Sequence, residues 1–227
     1  MGCTLDKVVP WGRSYDEHVA MFDLTAADLD RRILGCGDGP AAFNAGLTER
    51  GGAIVSVDPL YRFDARQIAG RIAETYAPVM DQVRRNQGDY VWAAIPSVEV
   101  LGAVRMAAME RFLADFEAGR RTGRYVVAEL PSLPFASRHF DIALSSHFLF
   151  LYSSHLSATF HCRALGEMLR VSREVRVFPL LTVDGLLSPH FPAVREHLTS
   201  QGFRLEVRPV PYEFQRGGNA MLVVRPA

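Results

Sequence analysis

The segment RRILGCGDGPAAF, residues 31–43, constrains this chain more than any other. An apolar run, Arg32 to Gly35, is followed by glycines at 35, 37 and 39, then by Pro40 and a helical pattern from Ala41 to Arg50. Alternating glycines between a strand and a helix leave the backbone bare where a ligand can approach the helix N-terminus. Pro40 suits the first turn of that helix, since its missing N–H would have no partner there. A β-branched run, Ala53 to Val57, ends on Asp58. Strand, tight turn, helix and strand make a βαβ unit, which requires a parallel sheet.

The rest of the chain keeps that alternation. Strand character returns at Tyr125 to Ala128, His139 to Ser145 and Glu174 to Leu180, with a helix predicted from Ser157 to Val171. Phe203 to Pro209 and Ala220 to Val224 flank the turn-rich PYEFQRGGN and read as a hairpin. Residues 14–22 open on a Ser cap and form a short amphipathic helix. Residues 62–121 carry helical periodicity, broken between Gly88 and Pro96 into two helices of roughly twenty residues, and read as a helical insertion. The expected fold is α/β: a doubly wound, seven-stranded, mostly parallel sheet with an antiparallel C-terminal hairpin. With 227 residues and 48% hydrophobic composition, the chain can bury its core as a single domain spanning 1–227.

The spacing G-x-G-x-G departs from the G-x-G-x-x-G of dinucleotide folds, so a pyrophosphate is disfavoured. Asp58, at the end of the second strand, stands where a carboxylate can accept hydrogen bonds from both hydroxyls of a ribose. The ligand implied is a nucleoside.

On these residues the chain resembles the class I methyltransferases that use S-adenosylmethionine. LGCGDGP is similar to their first motif and VSVDP to the acidic end of their second strand. ELPSLPFASRHFDIALSSHFLF resembles their third and fourth strand region, and GEMLRVSREVRVFPL their fifth helix–strand unit. The resemblance covers about residues 31–60 and 125–225 and implies S-adenosylmethionine as cofactor. It implies that Gly35, Gly37 and Gly39 line the methionine and ribose side, and that Asp58 holds the ribose. It places Pro59 and Leu60 beside the adenine, with Glu129 receiving the adenine amino group and the backbone of Leu130 answering a ring nitrogen. Many members carry an acidic residue where this chain has Ile33, a role Asp38 can take over from within the turn.

Methyl transfer is an in-line displacement, so alignment and exclusion of water can supply most of the catalysis. Ser145, Ser146 and His147 end the fourth strand, at the edge where α/β sheets present ligand-facing residues. Ser145 is assigned to the cofactor site and His147 to catalysis. An imidazole general base predicts a rate that rises through its pKa near neutrality. Arg13, Tyr15 and His18 either fold over the cofactor or cover a sheet edge. Tyr76, Met80, Tyr90, Trp92, Met106 and Met109 either roof an acceptor site or form core. The acceptor expected is a small molecule, with a protein as the alternative. No Asn/Asp-Pro-Pro-Tyr sequence follows the fourth strand, which weighs against methylation of a base amino group.

Twenty-five basic and twenty-five acidic side chains cancel, which leaves no global field for nucleic acid. His147, His155, His161 and Cys162 match no zinc spacing, and the three cysteines read as reduced thiols. Met1-Gly2-Cys3-Thr4 invites lipidation, but Asp6 stands where that pattern needs Ser or Thr. No stretch is apolar enough for a membrane span, and the expected location is the cytoplasm. Two rival functions remain at the level of sequence: a nucleotide-dependent oxidoreductase, and a cofactor-binding interaction protein without transferase activity.

Overall fold

The computed structural model describes residues 9–227, so the Met1-Gly2-Cys3-Thr4 reading lies outside the described residues. The chain order is α1 (Tyr15–Met21), α2 (Ala26–Leu29), β1 (Arg32–Cys36), α3 (Phe43–Glu49), β2 (Ala53–Val57), α4 (Ala65–Arg85), α5 (Val98–Arg121) and β3 (Tyr125–Val126). It continues through β4 (Phe140–Ser146), α6 (Ala158–Val171), β5 (Ser172–Phe178), α7 (Phe191–Ser200), β6 (Phe203–Pro209) and β7 (Ala220–Pro226). The sheet order is β3-β2-β1-β4-β5-β7-β6. β1 to β5 run parallel, and β7 lies antiparallel to both β5 and β6. This is the doubly wound, mostly parallel seven-stranded sheet that the sequence led us to expect, closing hairpin included.

Strand alternation sorts the core into two layers. Ile33, Ile54, Ile142, Leu144, Met221 and Val223 face the layer that holds Met21, Phe22, Phe43 and Leu47. Leu34, Ala143, Val175, Val177, Leu222 and Val224 face the layer packed by α6 and α7 through Leu165, Met168, Val194 and Leu198. Both faces of the central strands are apolar because both are covered.

Capping chemistry fixes the helix starts. Ser14 and Glu17 form a reciprocal capping box on α1, Asp64 and Gln67 one on α4, and Ser157 accepts from Phe160 N–H at the start of α6. The two long helices fall where periodicity put them. α5 packs on α3 and β3 while α4 packs on α5. Tyr61, Met109, Phe112, Phe116 and Tyr125 make a separate aromatic core beneath them.

β5 runs from Ser172 to Phe178 instead of Glu174 to Leu180, and other details depart from expectation too. β3 stops at Val126 instead of Ala128, since it pairs with β2 only through Ser56 and Val57 and has no strand on its outer side. The helices α2 and α7 were not anticipated: the four residues of α2 are too few to show a period, and α7 buries only Val194 and Leu198.

One buried cation ties the N-terminal layer to the sheet. Arg176 on β5, 3% exposed, donates to Glu174 Oε1 at 2.6 Å, to the Phe22 carbonyl at 2.8 Å and to Asp28 Oδ1 at 3.1 Å. Burial raises both carboxyls, but hydrogen bonds and the Arg176 charge leave Asp28 and Glu174 below their ordinary values. Arg176→Met removes the cation shared by two buried carboxylates, leaving Glu174 with Arg225 and Asp28 with Thr25 and Arg31, and is expected to cost about 3 kcal/mol at pH 7. Carboxyls depressed in the folded state stabilise above their unfolded pKa of about 4 and lose that contribution as the pH falls. The deficit should therefore shrink in acid. Urea unfolding at several pH values checks both, and equal stability of the two proteins at pH 7 would contradict the assignment.

Candidate functional site

The glycine turn is held by side chains reaching back under it. Gly37, at φ 70°, donates to the Val57 carbonyl at 2.9 Å, which pins the turn to the end of β2. A Cβ on Gly37 would stand 2.9 Å from the Phe148 ring. Gly35 has a different reason to be glycine: the Asp38 carboxylate occupies the space its Cβ would fill. That carboxylate accepts from Ser56 Oγ at 2.6 Å. Asp58 accepts from Gly39 N–H at 2.9 Å and Leu60 N–H at 2.7 Å, one bond on each oxygen. A carboxylate has about four lone-pair sites, so each oxygen keeps one for a ligand. Tyr61 Oη donates to the Gly39 carbonyl at 2.9 Å and completes the clamp.

A cavity of about 650 Å³ opens on this turn at the carboxyl ends of the parallel strands, where open α/β sheets hold their ligands. The volume lies within the range of small-molecule sites. Gly37, Asp38, Gly39, Asp58, Pro59, Leu60, Glu129 and Leu130 all reach its wall, and so does His147. Two expected residues do not. Gly35 lies beneath Asp38, and Ser145 is wholly buried, its Oγ without a partner among the described residues. β4 alternates, so Ser145 shares the parity of Ala143 and points into the core; Ser146, one position on, is the serine at the cavity.

The open choices divide. Arg13 and His18 line the cavity, whereas Tyr15 stacks on Phe43 with centroids 5.5 Å apart. Tyr90 lines the cavity and stacks on Phe214 at 4.8 Å; Met80 and Met109 are core. His161 is fully buried, with its ring nitrogens on the Ser157 and Leu149 carbonyls at 2.8 and 3.0 Å, which is a structural role.

Sequence reasoning missed the cluster of charge beside the cavity. Glu17 on α1 accepts from Arg105 Nη1 at 2.6 Å, from Tyr212 Oη at 2.9 Å, and from Ser14 N and Oγ at 2.9 and 3.0 Å. Burial alone would raise its carboxyl, yet the charge and hydrogen bond of Arg105 hold it down at about 2. Arg105 is 1% exposed, and its Nε and Nη2 have no partner among the described residues, nor has Arg13 Nε. Burial, followed by repulsion from Arg105, lowers Arg13 to about 10. Two guanidiniums therefore share one carboxylate. Burial also brings His18 down to about 4 and His147 well below the ordinary imidazole value, with Arg13 and Arg105 pushing the same way. Both imidazoles are neutral at physiological pH. An Arg amid the apolar residues of LGAVRMAAM was the visible signal for Arg105.

No protein-family profile matches the chain. An uncharacterized protein of Methanocaldococcus jannaschii is 28% identical over 222 residues, 97% of each chain. Among solved structures, the magnesium protoporphyrin IX methyltransferase of Synechocystis PCC 6803 with bound S-adenosylmethionine is similar at a TM-score of 0.49 and 11% identity, over 94% of this chain and 78% of that one. A protein of Pyrococcus horikoshii OT3 is similar at a TM-score of 0.49 and 12% identity, over 94% and 91%.

Asp38 offers a test of the clamp. Burial, and more weakly the charge of Asp58, push its carboxyl up to about 7 against the lowering effect of the Ser56 hydroxyl. A carboxyl raised in the folded state favours folding while protonated, so its contribution falls as pH rises from the unfolded value near 4 to about 7. Asp38→Asn is therefore expected to gain on the wild type across that interval and to hold a constant difference above it. Chemical denaturation from pH 4 to 8 measures this, and parallel profiles would contradict a buried, raised Asp38.

Proposed function

We propose that this protein binds S-adenosylmethionine on the glycine turn and transfers its methyl group to a small organic acceptor held in the same cavity. The observation that carries this is the continuity of the two sites. The turn with Asp58, suited to a nucleoside, opens into a chamber lined by α4, α5 and the end of β4. In this reading Gly37 and Gly39 admit the cofactor against bare backbone, the free lone pairs of Asp58 take the ribose hydroxyls, and Pro59, Leu60 and Leu130 flank the adenine. Glu129, exposed at the rim, receives the adenine amino group. Asp38, whose carboxylate reaches under the turn to Ser56, supplies negative potential from beneath the cofactor rather than a direct contact, in place of the carboxylate absent at Ile33.

His147 faces the acceptor. Its backbone is held at φ 50°, its N–H donates to the Phe178 carbonyl at 2.7 Å, and its Nδ1 lies 2.9 Å from Ser146 Oγ. The Ser146 contact fixes the ring. A buried imidazole kept neutral by nearby guanidiniums is a weak base, so its contribution is to orient the nucleophile by a hydrogen bond. This revises the pH dependence expected from the sequence.

Two outcomes test the reading. S-adenosylhomocysteine at about 100 times its Kd should stabilise the fold by about 2.7 kcal/mol, while nicotinamide dinucleotides leave the melting temperature unchanged. Asp58→Ala should lose about 1.5–3 kcal/mol of calorimetric cofactor affinity and Glu129→Ala less; stabilisation by the nicotinamide cofactor alone would reject the assignment.

Once an acceptor is found by screening metabolites with isotopically labelled cofactor, His147→Ala should lower turnover by less than the roughly 100-fold of a lost general base, independently of pH and with cofactor affinity little changed. The wild-type rate should be level from pH 6 to 8, because the imidazole pKa lies well below its ordinary value. A rate that climbs through pH 6.5 would restore His147 as a titrating base.

A further inference from the structure

The geometry points to a carboxylate subsite at Arg13 and Arg105: the acceptor is a carboxylic acid with an apolar body, anchored by these two guanidiniums. This inference rests on the methyl-transfer reading and names the acceptor's class.

Its first support is a count of hydrogen-bond capacity. Glu17 is the carboxylate at this wall, and its two oxygens already accept from Arg105, Tyr212 and Ser14. Three of these bonds fall on Oε2 and one on Oε1, and none comes from Arg13, whose Nη1 donates to the Trp11 carbonyl at 3.3 Å. Nε and Nη2 of Arg105 and Nε of Arg13 are buried without a partner among the described residues, as is His18 Nε2 beside them. Arg105 and His18 are 1% and 2% exposed, so water does not stand in freely. Arg13 and Arg105 line the cavity and carry one positive charge more than Glu17 balances.

The second support is the chemistry of the surroundings. Val79, Val83, Leu101, Leu151, Leu156 and Phe214 line the same cavity, and the Arg105 guanidinium lies 5.9 Å from the Phe214 ring centroid. Planar guanidinium forks match a carboxylate, and apolar walls strengthen the bond by excluding water. The methionine carboxylate of the cofactor fits this place poorly. It brings an ammonium on the adjoining carbon, which the two guanidiniums repel and which is drawn to the side of the cavity that holds Asp38 and Asp58. An aliphatic or aromatic acid brings a carboxylate and an apolar body, the two things this wall lacks.

The experiment uses cinnamate and octanoate against cinnamamide and octanamide, titrated into the protein saturated with S-adenosylhomocysteine and followed by fluorescence of Trp11, which lines the cavity. Each acid is expected to bind at least about tenfold more tightly than its amide. Arg13→Gln should abolish most of that preference while holding S-adenosylhomocysteine affinity within about twofold. Arg105→Gln strands Glu17, so the double variant Glu17→Gln/Arg105→Gln is the matched test there, with folding confirmed by circular dichroism; it too should lose the preference. Equal binding of acid and amide, or no binding of either acid to the nucleoside-saturated protein, overturns the proposal. So does a tenfold loss of S-adenosylhomocysteine affinity in Arg13→Gln with 5′-methylthioadenosine unaffected, since the guanidiniums would then hold the cofactor's own carboxylate. If the acids bind with the arginine dependence described but S-adenosylhomocysteine does not bind at all, the subsite stands and the methyl-transfer reading fails.

Discussion

The carboxylate of Glu17 holds together three parts of the chain that are far apart in sequence. It caps α1 through Ser14, pairs with Arg105 on α5 and accepts from Tyr212 in the connection between β6 and β7. A buried ion pair of this kind adds little net stability, because desolvation offsets much of the attraction. What it does is fix geometry. Among the described residues it is the polar tie from the N-terminal segment to α5, added to the Ala42 N–H bond on the Arg13 carbonyl and the stacking of His18 on Phe43. Tyr212, whose hydroxyl burial and the Glu17 charge push up to about 12, stays a donor at any physiological pH.

A second constraint sets the floor of the site. Parallel strands end at one edge, so β1, β2 and β4 deliver their last residues together. The turn after β1 could still splay away from β2. Asp58 prevents this by accepting from Gly39, and Asp38 prevents it by reaching Ser56 under the turn. Asp38 in the turn and Asp58 at the end of β2 repel each other, and burial raises both. An arrangement that keeps acidic groups desolvated and close is one that a cationic ligand relieves. S-adenosylmethionine carries a sulfonium and an ammonium, so the acidity of the turn and the identity of the proposed cofactor agree in sign.

The floor was legible in the sequence because each of its parts is local. LGCGDGP announces a strand-turn-helix by spacing alone, and Asp58 ends its own strand. The closing hairpin showed in the turn-rich PYEFQRGGN between two strand patterns, while the sheet order was not read from the sequence. The wall was not legible. Arg105 pairs with a residue 88 positions away, and Tyr212 with one 195 positions away; no periodicity encodes such partners. Ser145 shows a subtler limit. A one-residue shift along a strand moves a side chain to the other face, so SSHF could not reveal which serine meets the cavity until β4 was placed against Leu34 and Val175. Tyr90 and Met80 teach the same point for helices and loops, since both sit in aromatic-rich sequence and only the first reaches the cavity.

Charge ties the two halves of the site together. The turn is acidic, the opposite requirement to that of the wall formed by Arg13 and Arg105. In the proposed reaction the cofactor arrives as a cation and leaves without its sulfonium charge, while the acceptor arrives with a carboxylate that persists. The acidic turn favours the cationic cofactor over its product and so favours exchange after turnover. The guanidiniums hold the acceptor by a charge that the reaction leaves alone, provided the methyl goes to another atom; esterifying the anchor would release it. In apolar surroundings the fields of both groups reach further than in water, so a sulfonium placed between them is drawn toward the turn and away from the guanidiniums. In the proposed reaction that gradient would orient the cofactor with its adenosine on Asp58 and its methyl facing the chamber, an alignment obtained from fixed charges without any protein nucleophile.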